Sequence, residues 1–271
     1  MGREETAGPS GHGLIRAPAV AGAFYPADPS DLSRTVDALL AEARSGADEP
    51  RPAALVVPHA GYIYSGPVAA EGYARIRGLQ IPRVVILGPA HFVPLGGMAV
   101  PAASAWRTPL GTVEVDPPLR EAAIDAGAAV DDRPHAPEHA IEIQLPFLLR
   151  TLGPGWTFLP VAVGLAPAGS VADLLGRVQG LADLVVVSTD LSHYLSEASA
   201  RRTDLGTAKA VLRLDPEGIG EDAACGRHAL RGLLAFAARS GLVPRLLRLG
   251  TSADASGDKF SVVGYGAFSF T

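Results

Sequence analysis

Apolar positions along the chain alternate between short unbroken runs and stretches with helical spacing. ALVV (54–57), RVVIL (83–87), FLPVAV (158–163) and LVVV (184–187) are runs of strand length. Continuous apolar runs of this kind predict strands buried on both faces. Between them the spacing predicts helices over 66–77, 117–126 and 170–180, with Gly127 stopping the second and a Ser170-to-Asp173 capping pattern opening the third. Further helices are expected over 30–44, capped by Ser30 with Leu32, Val36, Leu39, Leu40 and Ala43 on one face, and over 197–213 and 223–240. Residues 141–149 have helical spacing with Pro146 either in the first turn or at a kink. Thr112–Val115, Leu246–Leu249 and Ser261–Phe270 read as additional strands. Strands alternating with helices predict an α/β fold, a single domain over 14–271 with a central mostly parallel or mixed sheet flanked by helices. Residues 1–13 are rich in Gly, Ser and charge and are expected to be disordered, and SGADEPRP (45–52) breaks the chain.

Composition narrows the function classes. With 48% hydrophobic and 19% charged residues in 271, the chain is globular. A net charge of −5 without any Lys/Arg cluster excludes a nucleic-acid footprint. No apolar run approaches the roughly 20 residues that span a bilayer, and the N-terminus has no apolar signal region, so no membrane role and a cytoplasmic location are expected. The single cysteine, Cys225, cannot close an internal disulfide.

The candidate chemistry lies in the histidines. His59 stands two residues beyond the strand ALVV, His91 four beyond VVIL, and His193 six beyond LVVV. If those strands are parallel, the three loops leave the same edge of the sheet, where open α/β sheets bind ligands. Three imidazoles there can hold a transition metal, Fe, Cu or Zn in preference to Mg or Ca. Asp190, three residues before His193, can accept a hydrogen bond from an imidazole or act on a ligand. Cys225 is a candidate further ligand near the start of a predicted helix, where the helix N-terminus and Arg227 favour a thiolate, or else a small buried apolar residue. Glu138 and His139 can orient a ligand or simply begin a helix. His135 is expected at the surface. Phe24, Tyr25, Tyr62, Tyr64 and Trp106 can wall the pocket or serve the core. There is no C-x-x-C, H-E-x-x-H, G-x-S-x-G or phosphate-cradling Gly-rich loop.

VAGAFYPADP (20–29), VVPHAGYIYSGPVAA (56–70), VVILGPAHF (84–92), WRTPLGTVEVD (106–116), EHAIEIQLPFL (138–148), STDLSHY (188–194), CGRHAL (225–230) and VVGYGAFSF (262–270) resemble the Memo family, in order along nearly the whole chain. Its prokaryotic branch is the AmmeMemoRadiSam system protein B type. The resemblance implies a fold like that of the class III extradiol dioxygenases, which use non-haem Fe(II). It also implies His59, His91 and Cys225 as metal ligands, with Asp190 and His193 lining the same cleft. A carboxylate is the third ligand in the dioxygenases; Cys225 in its place puts ring cleavage in doubt. Radical-SAM and AMMECR-type partners are implied as well.

These readings lead to a metal-dependent redox enzyme with Fe(II) or Cu at His59, His91 and Cys225. His193 and Asp190 serve as acid and base, and Glu138, His139 and Tyr62 surround the ligands. A non-catalytic binding or assembly module on the same fold is the main alternative, and a zinc hydrolase built on His59, His91 and His193 the third.

Overall fold

The structure, a computed structural model, describes residues 13–44 and 50–271. The expectation of disorder over 1–13, apart from Gly13, lies outside the described residues, as does most of the break over 45–52. In chain order the elements are β1 (Ile15–Arg16), α1 (Pro29–Glu42), β2 (Ala54–Val57), α2 (Tyr62–Tyr73), β3 (Arg83–Pro89), β4 (Met98–Val100), β5 (Ala105–Thr108), β6 (Gly111–Glu114), α3 (Pro117–Asp125), β7 (Ala129–Val130), α4 (Leu145–Leu152), β8 (Thr157–Val163), α5 (Ala168–Val178), β9 (Leu184–Ser188), β10 (His193–Leu195), α6 (Glu197–Leu212), α7 (Arg227–Ser240), β11 (Pro244–Thr251), α8 (Ala253–Ser256) and β12 (Val262–Phe270).

The four continuous apolar runs lie side by side. β2, β9, β3 and β8 are adjacent and parallel, and they form the centre of a nine-stranded mixed sheet. Antiparallel strands close it: β12 beside β2, with β10 and β11 on β12, and β4 beside β8. Leu55, Ile86, Leu87 and Val186 have no exposed surface. Burying each contributes about 1.5–3 kcal/mol, which is why these runs carry no polar alternation. Helices α1, α2 and α4 pack together, as do α3, α5 and α7. The α5–α7 contact needs Gly232, where an added Cβ would come within 2.3 Å of Val171. The result is one α/β domain with a mixed sheet flanked by helices.

A second, three-stranded sheet, β1-β5-β6, packs against β8 of the first, with a bridge from Val115 to Phe158. Its parallel register pairs Arg16 with Trp106, and the Arg16 guanidinium lies 4.1 Å from the Trp106 ring centroid. This contact belongs to an N-terminal strap, residues 15–25, that crosses onto the segment 135–144.

Local signals failed where a neighbour caps better. Asp28, not Ser30, caps α1, accepting from the Ser30 and Asp31 amides at 2.9 and 3.0 Å, with Pro29 at the first helical position. α5 starts at Ala168 behind Pro167, so Ser170 lies inside the helix and makes no cap. α7 starts at Arg227 rather than 223, after turns over 220–226. Pro146 sits in the first turn of α4, where its missing N–H costs nothing.

Candidate metal site

β2, β9 and β3 are neighbours in the sheet, so their carboxyl ends open onto one place. His59 follows β2, His91 follows β3, and Asp190 follows the middle strand β9. His193, expected in a loop, is instead the first residue of β10, held antiparallel to β12. It nevertheless lines the same cavity of about 620 Å³ as His59, His91, His139, Asp190 and Cys225.

The rings of His59 and His91 have centroids 5.2 Å apart. His139 completes the group, 5.3 Å from His59 and 5.0 Å from His91. One ring nitrogen from each of the three lies within 4.8 Å of the others. His139 was expected beside the ligands; its ring is a member of the cluster itself. It does not follow a parallel strand, so the strand-exit argument could not find it. Instead, residues 140–144 are tied down over the strand ends: Gln144 Nε2 donates to the Pro58 carbonyl at 3.0 Å and to Ser188 Oγ at 2.8 Å, and Ser188 Oγ donates to the Ala140 carbonyl at 2.6 Å.

These bonds fix the tautomer of His59. A hydroxyl has one proton, and Ser188 gives it to Ala140. The contact of 2.9 Å between His59 Nδ1 and Ser188 Oγ therefore has the imidazole as donor. The lone pair is left on Nε2, facing the cavity side where Cys225 Sγ stands 3.2 Å away. His91 is preset in the same way. Its Nδ1 donates to Glu138 Oε1 at 3.0 Å, leaving Nε2 as acceptor. Glu138 is 1% exposed and also accepts from the amides of His91, His139 and Ala140. Burial raises its pKa, but these bonds, led by the His91 side chain, outweigh it and hold the carboxyl below its ordinary range.

Electrostatics favour the neutral forms of His59, His139 and His193. Burial, then the neighbouring His91, His139 and His193, push His59 well below the usual imidazole pKa. Burial lowers His139 and His193 too. Neutral imidazoles are the form that binds metal. His139 Nδ1 is buried without a hydrogen-bond partner; it lies 3.2 Å from Glu138 Oε1 without the alignment of a hydrogen bond. An orphaned nitrogen among three convergent imidazoles fits the donor set of a transition ion.

Asp190 is 5% exposed and accepts from the His59 backbone amide at 2.7 Å, while burial pushes its carboxyl up to about 7. Cys225 accepts from the Asp190 amide at 3.3 Å. The thiolate expected there is disfavoured. Burial, and then the Asp190 charge, push the thiol up to about 12, and α7 begins two residues too late to offset this. A bound metal would have to displace that proton.

Two other expectations change. Tyr62 does not reach the imidazoles: its hydroxyl donates to the Ile143 carbonyl at 2.7 Å and its ring packs 4.9 Å from Phe147. His135, expected at the surface, is 1% exposed, with its ring 5.7 Å from that of Trp106 and its Nε2 3.1 Å from the Ala99 carbonyl. The turns over 133–137 fold it inward. Trp106 is core, whereas Phe24 and Tyr64 line the cavity. Arg16 and Glu142 carry the support of this segment and were not singled out by sequence. The signal available was a glutamate inside the apolar run AIEIQLPFLL.

No helix among the described residues is long and apolar enough to cross a membrane. The structure resembles the crystal structure of the Escherichia coli K12 protein JW3007, with a TM-score of 0.52 over 80% of this chain and 99% of that one; at 13% identity the likeness concerns the fold alone. A MEMO1 family protein of Methanopyrus kandleri is 35% identical over 95% of this chain and 99% of its own. One from Aquifex aeolicus is 40% identical over 75% of this chain and 76% of its own, and one from Methanosarcina acetivorans 35% identical over 93% and 98%. The family model of Memo-like proteins matches residues 16–269, a span that takes in the N-terminal strap, every imidazole of the cluster and Cys225, and the chain therefore belongs to the Memo family.

Proposed function

We propose that this protein holds one transition ion, Fe(II) or copper, between His59, His91, His139 and Cys225, and uses it for redox chemistry on a small substrate. The observation that carries the reading is the convergence of three ring nitrogens within 4.8 Å, two of them with tautomers preset by Ser188 and Glu138. His59 Nε2 and Cys225 Sγ, 3.2 Å apart, are about as close as two donors of one ion, given bonds of roughly 2.0 and 2.3 Å. Imidazole and thiolate donors select iron, copper or zinc over magnesium and calcium. When bound, a redox-active ion supplies electron transfer and Lewis acidity.

The protein's own groups supply the rest. Asp190, with a carboxyl pushed up to about 7, carries a proton part of the time at neutral pH. His193, kept neutral by burial, can accept one. Phe24 and Tyr64 offer flat apolar walls to a substrate. Replacement of the dioxygenase carboxylate by Cys225 argues for a reaction other than ring cleavage.

Metal analysis after anaerobic purification tests this. Near one Fe or Cu per chain is expected, falling to background in the His59→Ala/His91→Ala variant. Intact protein that takes up neither Fe(II) nor Cu(I) would rule it out, and uptake of zinc alone would remove the redox part. A second reading, an assembly module without turnover, draws on the exposed Tyr194 in the cavity wall and Phe92 beside the His91 and His139 rings, 78% and 59% accessible. The radical-SAM and AMMECR-type proteins are its candidate partners. Co-purification with either that is unchanged in the double histidine variant would separate that surface from the metal pocket.

A further inference from the structure

We propose that a second cavity, which shares His91 and Cys225 with the first, receives the carboxylate end of the substrate, with Arg227 as the residue that recognises it. The inference rests on the metal-pocket reading for the other end of that substrate.

The cavity is about 380 Å³ and its walls are mainly Pro89, Pro94, Leu95, Val163 and Leu165. Among its lining residues Arg227 alone carries a fixed charge. Arg227 is partly buried, and its guanidinium makes no hydrogen bond or ion pair with any described residue. The other partly or fully buried arginines in comparable settings are paired: Arg16 with Glu142, Arg231 with the Ile219 carbonyl and Arg248 with Glu71. A guanidinium drawn partly out of water without a counter-charge is costly, and its planar fork matches a carboxylate.

His228 adds a second contact. Its Nδ1 donates to the Ala166 carbonyl at 3.0 Å, which leaves Nε2 as an acceptor, and that nitrogen is buried without a partner. It suits an O–H or N–H of the ligand. The first cavity has the opposite polarity, with Asp190 in its wall and Glu138 behind His91. No Arg or Lys lines that first cavity, so the fixed counter-charge for a carboxylate lies beside Arg227, which sets the direction of the substrate. The ligand class is therefore a small organic acid with an apolar spacer between its carboxylate and the end that meets the imidazoles.

Calorimetric titration of the full chain with phenylacetate and phenylacetamide, probes of nearly equal shape that differ in charge, tests this. Intact protein should bind phenylacetate about ten-fold or more tightly than the amide, the scale of a charge-assisted bidentate pair. The preference should vanish in Arg227→Gln and survive in part in Arg227→Lys, while metal uptake stays unchanged in both. It should also persist after chelator treatment. Equal binding of the two probes by intact protein, a preference retained in Arg227→Gln, or one lost with the metal would each overturn the proposal. A failure of the metal reading is distinguishable, because it appears as no ion uptake by intact protein and leaves the Arg227-dependent preference readable in chelator-treated protein.

Discussion

Two polar clusters, one buried and one partly open to solvent, lie against the same segment, residues 135–144, and they treat their hydrogen-bonding atoms differently. Around Glu142, which has no exposed surface, both carboxylate oxygens are filled: Arg16 at 2.7 Å, the Ala19 and Val20 amides at 2.7 and 3.1 Å, and the Tyr25 hydroxyl at 2.6 Å. A few residues away, three imidazoles converge with one buried nitrogen unpartnered and with neighbours that depress the protonation of His59. The first cluster uses polar groups to bind the N-terminal strap to the body, and its carboxylate is satisfied without any ligand. The second keeps lone pairs open beside a cavity, at some cost in stability, as a ligand site must.

The largest expected effect comes from breaking the filled cluster. Glu142→Ala leaves the Arg16 charge buried without its partner and should lower the unfolding free energy by about 3–5 kcal/mol in urea denaturation. A loss below 1 kcal/mol would show the strap to be dispensable.

His135, whose carbonyl accepts from Arg16 Nε at 2.8 Å, belongs to that first region and gives it a pH dependence. Burial lowers its imidazole to about 4, against an ordinary value near 6.5. Above about pH 6.5 the ring is neutral in both folded and unfolded chains. As the pH falls from there to about 4, the unfolded chain takes up the proton first, so stability declines, by about 3 kcal/mol in all. Replacing it in His135→Gln should flatten that acid limb in denaturation curves taken across the same range.

The open cluster should respond to ions where the filled one does not. Saturation at a hundred times the dissociation constant should stabilise the intact chain by about 2.7 kcal/mol, read as a shift in thermal unfolding. Nothing comparable should occur in His59→Ala/His91→Ala. Glu138→Gln, which weakens the orientation of His91, should reduce metal affinity by about 10–100-fold. Smallest of all, His91→Ala in metal-free protein should cost about 1 kcal/mol, because it removes one donor from Glu138 Oε1, which still accepts from the His139 and Ala140 amides.

The sheet was legible because its central strands are unbroken apolar runs, and the strand-exit argument then points to His59, His91 and His193 at one edge, where all three line one cavity together with Asp190. The short strands Met98–Val100 and His193–Leu195 were not legible, since three residues carry no period and their pairing is set by distant partners. His139 escaped for a related reason. Its position depends on Gln144 and Ser188 bonding across the strand ends, contacts made between residues 44 apart. For Cys225 the sequence leaves a thiolate and a small buried residue as alternatives, because it shows a nearby helix start and a cation but not the burial that decides between them.

The most direct test of the open cluster is an anaerobic titration with Co(II), whose visible and near-ultraviolet bands report ligand type. One ion per chain is predicted, with tetrahedral-type visible bands and a thiolate-to-cobalt charge-transfer band that disappears in Cys225→Ser. Binding should be abolished in His59→Ala/His91→Ala. Spectra of hydrated cobalt throughout the titration, or binding untouched by the histidine changes, would contradict the central claim that these side chains form a metal site.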